Sequence, residues 1–154
     1  MKIITSVIAV LLMISATATE PIPSSGKTAN AGIEFHQGSW DQALKLAQKT
    51  GKPVFLDISA SWCGPCKALK KNTFPNEEVG AFYNENFINV LMDGEKGEGI
   101  DLAKEFKVSA YPSMLFLNSK GELIARTSGY RDPEGFIALG QQVLDQYFKS
   151  NGIP

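Results

Sequence analysis

The chain has 154 residues, of which 44% are hydrophobic and 20% charged, and its formal net charge at pH 7 is −1. This is the composition of an ordinary globular domain, and the balanced charge gives no reason to expect binding to nucleic acid or to an anionic membrane surface. Two cysteines and one histidine are too few ligands for a structural zinc site or an iron–sulfur cluster, so we expect no metal centre.

The N-terminus has the pattern of a secretory signal peptide. Lys2 gives a short positive segment, residues 3–14 are almost wholly apolar, and Ala-Thr-Ala at residues 16–18 matches a small-x-small cleavage site. The apolar run is about a dozen residues long, whereas a membrane-spanning helix needs about 20. We therefore predict that residues 1–18 are cleaved during export and that the protein is periplasmic or secreted. A retained membrane anchor is the alternative.

The segment after this leader, residues 19–38, is rich in Pro, Ser, Gly and Ala and has no periodicity, which predicts a flexible linker. Ser39 and Gln42 then have the spacing of a helix capping box. Apolar residues follow at helical spacing as far as Gly51, a residue type that commonly ends helices. We therefore predict that one folded domain spans residues 39–150.

Both cysteines lie in one heptapeptide, Ser-Trp-Cys-Gly-Pro-Cys-Lys, shortly after an apolar run at residues 54–58 that predicts a buried strand. We predict that Cys63 opens a helix, where unpaired backbone N–H groups and the helix dipole favour its thiolate form. Pro65 suits the first turn of such a helix, because a missing N–H group costs nothing there. Cys66 then lies one turn further in, where its thiol can attack a mixed disulfide formed at Cys63.

The cysteine pair has two interpretations. One is a structural disulfide, although so short a loop constrains the unfolded chain little. The other is thiol–disulfide exchange, in which the pair closes a small disulfide ring and reopens it. We favour exchange, because the spacing supplies both an attacking and a resolving thiol.

The rest of the chain alternates predicted helices and strands and ends in a hairpin followed by a helix. The predicted elements are the cysteine helix to about residue 72, a helix at 77–84, a strand at 87–92, a helix at 101–106, strands at 113–117 and 122–127, and a final helix opened by Asp132 and Pro133. This order predicts an α/β fold with a central mixed sheet covered by helices on both faces. Residues 93–99 form a charged, glycine-rich loop, to which we assign no phosphate-binding role because its acidic residues would repel phosphate.

Four features make the chain resemble the thioredoxin superfamily over roughly residues 39–148. They are Trp-Cys-Gly-Pro-Cys-Lys at residues 62–67, Asp57 six residues before Cys63, the pair Tyr111-Pro112, and Gly129. Within the superfamily the chain is similar to the periplasmic C-terminal domain of the disulfide-reducing membrane protein DsbD, through Phe55-Leu56-Asp57, Thr73-Phe74, Gly121 and Gly129-Tyr130. The resemblance implies the thioredoxin fold, and the Cys-Gly-Pro-Cys sequence is that of reducing thioredoxins.

The resemblance implies a role for Asp57, which lies inside the predicted apolar strand. It would be a buried carboxyl group whose pKa is raised by desolvation and which takes the proton from Cys66 in the second step. The alternative is an edge position that faces water, because a buried charge costs several kcal/mol unless it is paired. Cytosolic thioredoxins usually place a lysine near this carboxyl group, whereas the matching position here is Asn89.

The resemblance also implies a substrate-binding surface around the cysteines. Pro112 would be a cis-proline that faces the disulfide and aligns the substrate backbone, although an ordinary loop proline is the alternative. Tyr111 would offer its backbone groups to an extended substrate segment. The other substrate-binding residues that we predict are Trp62, Gly64, Pro65 and Gly129.

Together these features predict an exported thiol–disulfide oxidoreductase that reduces protein disulfides. Cys63 would attack, Cys66 would release the reduced substrate, and Asp57 would assist as the base. We expect a monomer without metal or organic cofactor, whose partners are disulfide-containing proteins and a membrane-bound electron donor. Two alternatives stay open, namely an oxidase or isomerase that introduces or reshuffles disulfides, and a non-catalytic binding or chaperone module with a structural disulfide.

Overall fold

The computed structural model describes residues 32–150. The predicted signal peptide, residues 1–18, and residues 19–31 of the predicted linker lie outside that range. The described elements are, in chain order, α1 (Trp40–Thr50), β1 (Val54–Ser59), α2 (Gly64–Ala68), a π-helical turn (Leu69–Thr73), α3 (Glu77–Asn86), β2 (Ile88–Asp93), α4 (Glu98–Glu105), β3 (Ser113–Leu117), β4 (Leu123–Ser128) and α5 (Pro133–Ser150). None of these helices is long and apolar enough to cross a membrane.

The strands of the described part form one mixed sheet in the order β2-β1-β3-β4. β1 pairs in parallel with β2 and antiparallel with β3, and β3 pairs antiparallel with β4. β1 is therefore a central strand, and every one of its residues is buried. This is the thioredoxin fold, and the prediction of a mixed sheet flanked by helices is confirmed.

Helices cover both faces of the sheet. Alternate residues of β1 point to opposite faces, so they pack in two separate clusters. Val54, Leu56 and Ile58 pack in one cluster with apolar residues of α1 and α4. Phe55 packs on the other face with residues of the π-helical turn, α3 and α5. Asp57 is two residues after Phe55 and so belongs to this second face, on which Leu69, the first residue after the cysteine helix, is also buried.

The predicted helix signals act as expected at both ends of the domain. Ser39 and Gln42 form a reciprocal capping box at the start of α1, and Gly51 ends that helix with a left-handed φ of 70°. At the start of α5, the Asp132 side chain accepts a hydrogen bond of 2.8 Å from the Gly135 N–H group. These caps fix the first and last described helices from local sequence alone.

Two other predicted boundaries are wrong. α4 begins at Glu98 rather than at residue 101, because Gly97 adopts a φ of 50° that turns the chain directly into the helix. The cysteine helix is not one regular helix to residue 72, since α2 ends at Ala68 and the π-helical turn follows it. The remaining predicted bounds agree with the structure to within two residues.

The prediction of a flexible linker is also wrong for residues 32–38, which are attached to the domain. The Ile33 N–H group donates to the Phe74 carbonyl oxygen at 2.7 Å, and the His36 N–H group donates to that of Asn89 at 2.8 Å. The Phe35 ring meets the Phe74 ring edge-on, with centroids 5.3 Å apart. Because β2 is an edge strand of the described sheet, its outer backbone groups are free to pair with this segment.

Candidate active site

The cysteine pair lies at the start of α2, as predicted. Cys63 is the N-cap residue, and the backbone N–H group of Cys66 donates to its Sγ atom at 3.2 Å. The two cysteines form a disulfide with their Cα atoms 5.3 Å apart, and the intervening Gly64 and Pro65 are exposed. Cys63 and Cys66 are only 3% and 1% exposed, so what distinguishes them is the helix-start position of Cys63 and not its accessibility.

Asp57 is buried in the middle of the sheet, which excludes the edge position facing water. It pairs in register with Leu91 of β2 and Met114 of β3, and its side chain is 0% exposed. Neither carboxylate oxygen has a hydrogen-bond partner within the described part of the chain. Desolvation raises the pKa of Asp57 to about 7, so this group changes its protonation state near neutral pH.

The cation that acts on Asp57 is Lys70, which follows Cys66 by one helical turn. Its positive charge opposes the effect of desolvation and lowers the pKa of Asp57.

Asn89, at the position where cytosolic thioredoxins usually have a lysine, contacts the N-terminal segment and α3 instead. Its side-chain amide donates to the Asn84 Oδ1 atom at 3.1 Å and to the Glu34 carbonyl oxygen at 3.4 Å.

Tyr111 lies at the disulfide, Pro112 follows it in the chain, and Gly129 is hydrogen-bonded to Pro112. The Tyr111–Pro112 peptide bond is cis, as the resemblance implied. Tyr111 packs against the small cluster that Cys63 and Cys66 form with Ala60. The Gly129 N–H group donates to the Pro112 carbonyl oxygen at 3.3 Å, and its φ of 87° explains why glycine stands there.

Trp62 stands beside the cysteines as an exposed aromatic residue, with 65% of its surface accessible. Its indole N–H group donates to both carboxylate oxygens of Glu95, each at 3.1 Å. Its ring also meets the Tyr111 ring edge-on, with centroids 5.9 Å apart. Burial raises the pKa of Tyr111, and the negative charges of Glu95 and Asp93 raise it further.

The sequence indicated a charged loop at residues 93–99 but not that Glu95 of this loop contacts Trp62. The Gly94 N–H group donates to the Ser59 carbonyl oxygen at 2.8 Å, which ties the loop to the end of β1. A Cβ atom on Gly94 would lie 2.6 Å from the Tyr111 hydroxyl oxygen, so a larger residue there would force the tyrosine side chain to shift. The available signal was topological, since parallel β1 and β2 end at the same edge of the sheet and so bring Cys63 and this loop together.

Comparison with known families agrees with this geometry. Residues 40–144 match the family model of a thioredoxin-like domain. The chain belongs to the thioredoxin-like family. With its disulfide between Cys63 and Cys66, it is a thioredoxin-like member of the disulfide oxidoreductases.

Two curated relatives illustrate the similarity in sequence. The thiol:disulfide interchange protein DsbD of Yersinia pestis is 37% identical over 95 residues, which cover 60% of this chain and 16% of DsbD. A thioredoxin H-type from Fagopyrum esculentum is 34% identical over 95 residues, which cover 62% of this chain and 76% of that protein. The chain therefore spans only a small part of the length of the DsbD relatives that it matches.

Two solved structures illustrate the similarity in fold. A candidate disulphide-isomerase from Bacteroides thetaiotaomicron superposes with a TM-score of 0.66 at 40% identity, covering 75% of this chain and 95% of that one. The oxidised C-terminal domain of DsbD from Neisseria meningitidis superposes with a TM-score of 0.58 at 26% identity, covering 71% of this chain and 97% of that domain. The predicted resemblance to the DsbD C-terminal domain is thus confirmed.

Proposed function

We propose that this protein reduces disulfides in other proteins through the dithiol form of Cys63 and Cys66. The observation that carries the proposal is the position of the pair, with Cys63 capping α2 and a buried carboxyl group, Asp57, in the strand that leads into that helix. A passive staple has no need of an ionisable group buried without a partner, which is costly to the fold.

The reaction proceeds in two balanced steps. The Cys63 thiolate attacks one sulfur of the substrate disulfide, a mixed disulfide forms, and the other substrate sulfur leaves as a thiolate. The Cys66 thiolate then attacks the Cys63 sulfur, so that the second substrate thiolate leaves and the Cys63–Cys66 disulfide closes. Two electrons pass from the protein to the substrate, and the substrate thiolates take up protons.

Asp57 serves the second step as the base that takes the Cys66 proton. Its pKa of about 7 is matched to this task, because a general base is most effective when its pKa lies near the working pH. We assign substrate alignment to Trp62, Gly64, Pro65, Tyr111, Pro112 and Gly129, which surround or contact the cysteine pair.

Two observations favour reduction as the direction of electron transfer. The Cys-Gly-Pro-Cys sequence is that of reducing thioredoxins, and the DsbD C-terminal domain is among the structures that superpose on the chain. An oxidase or isomerase is the second candidate, favoured by the 40% identity to the candidate disulphide-isomerase. The reduction potential separates a reductase from an oxidase, because thioredoxin has a potential of about −270 mV and the strong oxidant DsbA one of about −120 mV.

The cellular context that we propose follows from the leader sequence at residues 1–18. Export to the periplasm or beyond places the protein in an oxidising compartment, where disulfide-containing proteins are its substrates. A membrane-bound electron donor must then restore the dithiol after each cycle. We propose that the protein works as a monomer and without metal or organic cofactor.

Reduction of insulin disulfides with dithiothreitol as electron donor tests the activity. We expect the protein to accelerate the precipitation of reduced insulin chains and Cys63→Ser to abolish the acceleration. If the protein is instead a binding or chaperone module with a structural disulfide, neither the wild-type protein nor Cys63→Ser accelerates the precipitation. A potential measured in a glutathione or dithiothreitol buffer then decides between reductase and oxidase.

A further inference from the structure

We propose that Glu95 selects the partners of the cysteine pair by favouring polypeptide segments with Lys or Arg beside their reactive disulfide. The inference rests on the proposed function, because it concerns how a substrate docks at Cys63. It is carried by the hydrogen bonds of Trp62, by the absence of an ion pair at Glu95, and by the anchoring of the loop.

Trp62 offers an apolar docking surface whose position Glu95 fixes. The indole N–H group is the only polar group of the side chain, and the two bonds of 3.1 Å to the Glu95 carboxylate satisfy it. The edge contact with Tyr111 restrains the ring from a second direction. An exposed ring held in this way can pack on a partner without first losing much freedom of motion.

The charge of Glu95 is not neutralised by a neighbouring cation. Lys96, the next residue, pairs instead with Asp93 at 3.2 Å, and no ion pair of Glu95 exists within residues 32–150. Lys70 belongs to the π-helical turn, and its charge acts on Asp57 and Asp93. Glu95 therefore places an exposed negative charge, without an ion-pair partner in residues 32–150, against the indole that adjoins Cys63.

The loop holds this charge in place. The bond from Gly94 to the Ser59 carbonyl oxygen ties the loop to β1, and the Glu95 N–H group donates to the Asp93 Oδ1 atom at 3.0 Å. A partner that packs on Trp62 brings its own flanking side chains close to the carboxylate. Two unit charges about 6 Å apart in water alter a rate constant about threefold, and salt weakens the effect.

The test uses two disulfide-bonded peptides that differ only in having Lys or Glu next to one cysteine. The reduced full-length chain is mixed with each peptide at low ionic strength, and the second-order rate constant is measured. Because the peptides differ by two charges, we expect the Lys peptide to react about tenfold faster. Raising the salt concentration should shrink this ratio.

Three variants assign the preference to Glu95. Glu95→Gln keeps an acceptor for the Trp62 indole and removes the charge, so the ratio should fall about tenfold. Glu95→Lys should reverse the preference. Glu85→Gln is the matched control, because this exposed carboxylate precedes β2 and so lies at the opposite end of the sheet from the disulfide, and it should keep the wild-type ratio.

Equal rates for both peptides, or an unchanged ratio in Glu95→Gln, would overturn the inference and leave the reductase proposal intact. A faster reaction with the Glu peptide would overturn it as well. Reduction of neither peptide contradicts the proposed function itself, and the inference falls with it. The insulin assay separates the two failures, because it does not depend on the charge beside one cysteine.

Discussion

Two carboxyl groups are linked to the cysteine helix, Asp57 through the strand that leads into it and Glu95 through Trp62, and their surroundings are opposite. Asp57 lies in the central strand that leads to the cysteine helix, is 0% exposed, and has no hydrogen-bond partner in the described part of the chain. Glu95 lies in an exposed loop and accepts two hydrogen bonds from Trp62. We propose two purposes for the same chemical group, a proton acceptor at Asp57 and a fixed charge beside Trp62 at Glu95.

The difference shows how environment assigns the roles. Burial penalises the charged form, so the pKa of Asp57 rises to about 7 and the group can exchange a proton near neutral pH. Water and the indole N–H group both stabilise the charge of Glu95, which suits a contact with a cationic partner. The comparison also implies an order of events, in which Cys63 meets the substrate near Glu95 and Cys66 acts second with help from Asp57.

The largest expected effect tests that order directly. Cys66→Ser leaves the first attack intact but removes the resolving thiol, so mixed disulfides with substrate proteins should accumulate. Cys63→Ser should capture none. Non-reducing electrophoresis of each variant after exposure to a disulfide-containing protein measures the adducts. Capture of the same proteins by both variants would mean that the cysteines are not assigned to distinct steps.

The second expected effect concerns the stability of the oxidised protein. Because the pKa of Asp57 is raised from 3.8 to about 7, the folded state holds a proton that the unfolded state has lost between these pH values. The free energy of unfolding should therefore fall as the pH rises from about 4 to 7 and then level off, by about 4 kcal/mol in total. Asp57→Asn should remove this dependence.

Denaturant unfolding at pH 4.5 and pH 8 measures the effect of Asp57→Asn. The matched control is Glu95→Gln, the same chemical change at an exposed position, which should alter the free energy of unfolding by about 0.5 kcal/mol or less at either pH. If the Asp57 variant loses as much stability with rising pH as the wild-type protein, then the buried carboxyl group does not carry the dependence.

A smaller effect is expected on the rate of the second step. Asp57→Asn should slow the release of substrate from the mixed disulfide and leave the first attack by Cys63 nearly unchanged. General-base assistance is typically worth about 10²–10⁴-fold, and we expect the lower end or less, since water substitutes partly for a lost base. Stopped-flow measurement of both steps decides. If Asp57→Asn slowed the attack by Cys63 as much as the release by Cys66, Asp57 would act in the first step too.

The burial of Asp57 could be predicted from sequence, and the contact of Glu95 with Trp62 could not. A charged residue inside an apolar strand left both an edge position and a buried one open for Asp57, and the resemblance to the thioredoxin superfamily favoured the buried one. Glu95 has no such pattern, because it lies in a loop without periodicity. Its contact with Trp62 joins residues 33 apart in sequence and depends on how β1 and β2 align.

The segment before α1 and the cap of α1 differ in the same way. Composition alone assigned residues 32–38 to the linker, although Ile33 and Phe35 are alternating apolar residues that pack against the domain. The segment is fixed by an edge strand and by Phe74, partners that are distant in sequence. Capping residues such as Ser39 act within one helical turn, which is why α1 was predicted correctly and the segment before it was not.

The smallest expected effect separates the contribution of Lys70 from that of burial at Asp57. Burial is the larger cause of the raised pKa, and the positive charge of Lys70 opposes it from an exposed position. Lys70→Met should therefore raise the pKa of Asp57 further, by about half a pH unit or less because water screens an exposed charge. Titration of the Asp57 carboxyl carbon by NMR in the oxidised protein measures the change. Lys71→Met, the adjacent exposed lysine, is the matched control and should leave the titration unchanged. High salt should raise the pKa of Asp57 in the wild-type protein toward its value in Lys70→Met. A lower pKa of Asp57 in Lys70→Met would show that the lysine does not stabilise the carboxylate.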